Sequence, residues 1–84
     1  MQEFDTTQPP GATAVTVAEQ EVRRQGLDPK TYSTKAYRDG DEVIVIYTDP
    51  DTPLGGRGNM GAKPALEVYL SYPALTLKRS AFVR

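Results

Sequence analysis

Four glycines crowd into seven residues of this chain, Gly55, Gly56, Gly58 and Gly61. Gly56-Arg57-Gly58-Asn59-Met60-Gly61 fits the G-x-G-x-x-G pattern, with which backbone N–H groups approach a pyrophosphate. That chemistry needs a strand directly before the first glycine and a helix opening at the third, so that the helix N-terminus receives the phosphate. Here eight residues, Pro50 and Pro53 among them, separate Tyr47 from Gly56. After Gly61 the chain runs through Pro64 into Ala65–Tyr72, which alternates with period two and reads as a strand. Beyond Glu67 no acidic side chain remains to take a ribose hydroxyl. The phosphate-loop pattern misses as well, because Lys63 stands one place late and no Ser or Thr follows it. Asp49-Pro50-Asp51 opens like a calcium loop, yet Pro53, Leu54 and Met60 fill its fifth, obligatory-glycine and closing positions. Thr48–Pro64 therefore reads as a mobile hairpin connection that binds no dinucleotide, and neither cofactor nor metal is expected.

The chain contains no His and no Cys. That excludes Ser–His–Asp and Cys–His nucleophilic chemistry, structural zinc, haem and iron–sulfur ligation. No spacing selects a carboxylate pair, so no catalytic residue is assigned and a non-enzymatic role is expected. Net charge is −1, which gives no overall field for nucleic acid. It is unevenly distributed. Residues 1–51 carry ten acids and five bases (−5), and residues 52–84 one acid and five bases (+4). No apolar run is long enough to span a membrane and no export signal opens the chain, so a cytoplasmic location is the expectation.

The elements follow from periodicity. Residues 1–12, broken by Pro9-Pro10-Gly11, read as a flexible arm ahead of a single domain over 13–84. Ala14, Val15, Ala18 and Val22 form one helical stripe, with Thr13 the favoured cap, Arg23-Arg24 in the last turn and Gly26 as the left-handed stop. Tyr32–Tyr37 and Glu42–Tyr47 pair about an Asp39-Gly40 turn. Ala65–Tyr72 and Leu75–Val83 make two more strands, with a bulge or an edge position expected at Arg79. The fold class is α+β: one N-terminal helix packed on a four-stranded antiparallel meander.

One short helix covers one face of a sheet. Val43 and Val45 alternate with Ile44 and Ile46, so the second strand is apolar on both sides. Glu67 and Ser71 must stay out of the core, which puts Leu66, Val68 and Leu70 inside and Tyr69 outside. The expected core is Val15, Ala18, Val22, Val43, Val45, Leu66, Val68, Leu70 and Leu77. The expected partner-binding residues are Ile44, Ile46 and Tyr69 on the opposite face, with Arg57 and Asn59 on the glycine loop. The occupant is a protein partner or a second copy of the chain. Alternatively Phe4 of the arm, or Leu54 and Met60 of the loop, folds across that face. A different class of function, binding or turning over a small anion or sugar, would use Asp49, Asp51, Arg57, Asn59 and Lys63 on the 48–64 loop.

The order of elements resembles cystatin-like small domains, the trimmed nuclear-transport-factor-like family that includes bacterial immunity proteins, and more distantly PepSY domains. The resemblance lies in the helix ending at Gln25-Gly26-Leu27-Asp28-Pro29, the tyrosine-bearing strand Tyr32–Tyr37, the Asp39–Val45 turn and strand, and Gly55-Gly56 ahead of Leu66–Tyr72. It implies a sheet surface that binds a protein, in the immunity case a toxin, and carries over no catalytic residue. Two features differ: the chain has no tryptophan, and Ser71-Tyr72-Pro73-Ala74 replaces the usual Asp-x-x-Thr-Gly turn.

Overall fold

A computed structural model describes residues 2–48 and 65–83. Strand β1 (Gln2–Phe4) precedes helix α1 (Gly11–Arg24), and a short 3₁₀ turn (Pro29–Thr31) leads into β2 (Ser33–Asp39), β3 (Glu42–Thr48), β4 (Ala65–Ser71) and β5 (Leu77–Val83). The sheet runs β1-β2-β3-β4-β5, and every neighbouring pair is antiparallel. The fold is α+β, one helix on a five-stranded antiparallel sheet rather than a four-stranded one. The fifth strand comes from the segment read as an arm. Gln2, Glu3 and Phe4 lie opposite Arg38, Tyr37 and Ala36, and Phe4 packs against the core. Three residues are too few to show a period, and the prolines that follow resemble a loop.

The helix starts two residues before Thr13. Pro10 is its N-cap and no side chain caps it. Its end follows the sequence closely. Gly26 takes φ +83°, its N–H donates to the Arg23 carbonyl at 2.9 Å, and the Leu27 N–H reaches the Val22 carbonyl at 3.1 Å. This pair of bonds is a Schellman closure, and Leu27 packs, partly buried, against the core. In the β2–β3 hairpin Asp39 pairs with Glu42, leaving Gly40-Asp41 as the turn. Gly40 has φ +63° and Asp41 does not share a positive φ, the pattern of a type II′ turn.

Residues paired across antiparallel strands share a face, which fixes the phase. Ala36, Val45 and Val68 form one row under the helix, and Tyr47 and Leu66 another. With Ala14, Ala18, Val22, Tyr32, Val43, Leu70 and Leu75 they make the core. Val15 packs at its margin.

Leu77 departs from expectation, being 43% exposed. The register shifts between Tyr69 and Leu70, so Arg79 faces Tyr69 while Leu77 faces Leu70. This is the bulge expected at Arg79, and it falls on an edge strand. It also inverts the predicted phase beyond it: Ser80 and Phe82 lie opposite Val68 and Leu66, on the helix side. At the sheet's edge the helix does not reach far enough to cover Leu77 and Phe82.

Candidate functional site: the outer face of the sheet

The face away from the helix is built by the same alternation. Its central row crosses five strands as Glu3–Tyr37–Ile44–Tyr69–Arg79, and the adjacent row is Lys35–Ile46–Glu67–Ala81. Among the described residues no element lies across this face. Ile44, Ile46 and Tyr69 thus share the outer side, as the sequence indicated. Arg57 and Asn59, and with them Leu54, Met60 and the rest of the proposed small-ligand set, lie outside the described residues. Phe4 sits on the helix side, with its ring 5.9 Å from that of Tyr72, and does not cross the outer face.

The two isoleucines differ in environment. Ile44 is only 8% exposed, because Tyr37 and Tyr69 flank it on the neighbouring strands. Ile46 stands between Lys35 and Glu67 and is half-buried. A depression of about 190 Å³ beside it is lined by Lys35, Tyr37, Ile46 and Thr48. Small-molecule pockets usually span about 300–1,000 Å³, so this depression fits one inserted side chain better than a whole ligand. A larger opening of about 350 Å³, lined by Gln2, Arg38, Asp39 and Gly40, lies at the β2–β3 hairpin. There the Arg38 Nε already donates to the Gly40 carbonyl oxygen at 2.9 Å.

Tyr69 is held on both sides. Its hydroxyl donates to a Glu67 carboxylate oxygen at 2.7 Å, and the Arg79 guanidinium stacks 4.0 Å from the ring centroid. The hydrogen bond to Glu67 holds the phenol above its ordinary pKa of 10, and burial adds to this. The ring therefore stays neutral, as a fixed aromatic plate under a cation. Next to it Lys78 pairs with Glu42 at 2.9 Å.

Glu21 was not singled out from the sequence. It lies on the packed face of α1, 3% exposed, seven residues after Ala14 and three after Ala18. That helical spacing is the signal that could have found it. Ser80 of β5 donates to it at 2.6 Å, Gln25 Nε2 at 2.9 Å and Arg24 Nε at 2.7 Å. The Ser80 bond most of all, with help from Gln25 and Arg24, lowers its pKa against the opposing cost of burial. A buried carboxylate this fully partnered ties the helix end to the edge strand.

Among the described residues no group of three or more acidic, His or Cys side chains could hold a metal ion, and no helix is long and apolar enough to cross a membrane. No protein-family model, no curated protein and no solved structure matches the chain.

Proposed function

We propose that the protein is a non-enzymatic binding domain for another protein, of the inhibitor or immunity type, and that the outer sheet face is its binding surface. The row Tyr37–Ile44–Tyr69–Arg79 carries this reading. Tyr and Arg dominate the energetics of protein interfaces because they present large, stiff, amphipathic surfaces. Here both tyrosines are preset by the sheet, and the Tyr69 ring is further fixed by Glu67 and Arg79. Little side-chain entropy remains to be lost on docking. Ile46 and the depression beside it offer the apolar contact. Arg57 and Asn59, outside the described residues, are proposed as further partner contacts. The resemblance to cystatin-like immunity domains supports a role in neutralising a partner.

The test compares affinity capture from the source cells by the parent chain and by the Ile46→Lys/Tyr69→Ala double variant, with mass spectrometry of the recovered proteins. The parent chain should retain one stoichiometric partner, and the folded double variant should lose it. Equal recovery by both would overturn the assignment of this face. Sedimentation of the parent chain separates a foreign partner from a second copy.

A further inference from the structure

We infer that the outer face of the sheet closes on a second copy of this chain, face to face, about a two-fold axis that runs along β3. The inference rests on the outer-face reading and names the first occupant of that face, which a foreign partner must displace. β3 is the middle strand of the five. A two-fold axis parallel to it lays β2 of one copy over β4 of the other, and β1 over β5. Each cross-strand row then meets its own reverse. In the row Lys35–Ile46–Glu67, Lys35 comes under Glu67 of the second copy, Glu67 comes under its Lys35, and the two Ile46 side chains meet on the axis. In the neighbouring row Tyr37 meets Tyr69 of the second copy, and Ile44 lies on the axis.

The charges select this arrangement. Among the described residues Lys35 makes no ion pair, and the Glu67 carboxylate has the Tyr69 hydroxyl but no cation. Within one chain Ile46 stands between them. A second copy supplies both counter-charges at once. Glu42 falls on the axis against its own copy, and Lys78, 2.9 Å away in the same chain, neutralises each. An axis across the strands has no such match. It keeps every strand over its own copy, so Lys35 on β2 and Glu67 on β4 never meet. Stacked sheets turn by about 30°, which displaces these two residues little because they stand one strand from the axis. Strands of seven residues, about 4.8 Å apart, make a face of roughly 500 Å² on each copy. The pair thus buries about 1,000 Å², the lower limit of a specific interface, which makes the association weak and reversible.

The test is sedimentation equilibrium of the purified whole chain from low micromolar to millimolar concentration, with amide spectra recorded over the same dilution. The parent chain should dimerise with a Kd between about 10 µM and 1 mM. Well below that concentration the single chain prevails, and denaturation there reads its own stability. Lys35→Glu and Glu67→Lys should each weaken self-association about fivefold or more, since the symmetry repeats each change. Mixed in equal amounts, the two variants should pair with each other as tightly as the parent does with itself, because unlike charges again face each other. Ile46→Lys sets two ammonium groups on the axis and should abolish pairing, and it gives the same reading should Glu67→Lys fail to fold. Dilution of the parent should move the amide signals of Lys35, Ile46 and Glu67. A monomer at every concentration, single variants that associate like the parent, a mixture no tighter than either variant alone, or dilution shifts centred on the β5 edge would each overturn the proposal. A monomer that still captures a foreign protein overturns the pairing and leaves the foreign-partner reading standing. Dimerisation of the mixed variants with no foreign protein captured upholds the pairing and overturns that reading instead.

Discussion

Tyr47 has a fully enclosed side chain, and among the described residues its hydroxyl has no hydrogen-bond partner. Burial, with a smaller contribution from the charge of Glu19, pushes the phenol far above its ordinary pKa, so it stays neutral at all ordinary pH. An enclosed, unpaired hydroxyl carries a desolvation cost of about 1–3 kcal/mol. Tyr47→Phe should therefore leave the urea midpoint unchanged or raise it, although it deletes a polar atom from the core. Glu21 is the opposite case, buried and satisfied. Its folded carboxyl titrates below the ordinary 4.5. Its stabilising contribution is complete above that value and is lost as the pH falls through the lowered one. Glu21→Ala should cost about 1–3 kcal/mol at neutral pH, and the gap between variant and parent should narrow as denaturation is followed to pH values below the lowered carboxyl pKa. The sequence announces neither residue. Period two marks Tyr47 as inward without saying whether its hydroxyl finds a partner. Glu21 needs Ser80, fifty-nine positions away, before its burial makes sense.

At the scale of elements, local backbone chemistry was the most legible. Gly26 and Gly40 were read as a helix stop and a hairpin turn, and both take the positive φ those roles require. Strands β3 and β4 kept their phase because Glu67 and Ser71 could not be buried. Two elements resisted, for different reasons. β1 is too short to show a period, and on β5 Arg79 marks the bulge without showing that Ser80 and Phe82 turn to the helix side beyond it. Gly11 makes the same point about contacts. Replacing a helical glycine with alanine ordinarily gains about 1 kcal/mol. At Gly11 a methyl group would run into the backbone carbonyl of Asp5, in the segment that returns from β1. Gly11→Ala should therefore lower the denaturation midpoint, whereas Thr13→Ala, at a residue that caps nothing, should change it little. A raised midpoint for Gly11→Ala would show that the β1 connection yields easily.

At the scale of the molecule, one helix and five strands leave two unequal faces. The helix side holds the core: Leu66 and Leu70 are fully buried there, and truncating either to Ala should cost about 2–5 kcal/mol. On the outer side the rows are not equivalent, and the sequence could not tell them apart. Val43-Ile44-Val45-Ile46 is apolar throughout, and both isoleucines read alike. Cross-strand pairing separates them, since Ile44 is walled in by Tyr37 and Tyr69 while Ile46 stands between two charged side chains. Ile44 is thus a small second core of the isolated chain, and Ile46 belongs to its surface. A lysine at position 46 can extend its ammonium into water past Lys35 and Glu67. A lysine at position 44 must either displace the tyrosines or bury a charge, which costs several kcal/mol. Ile46→Lys should keep the parent's amide dispersion and denaturation midpoint, whereas Ile44→Lys should shift the midpoint strongly downward. If both variants fold with unchanged midpoints, the tyrosines do not shield Ile44 in solution. If both unfold, the outer face is core along its whole length, and a partner cannot be docking on it.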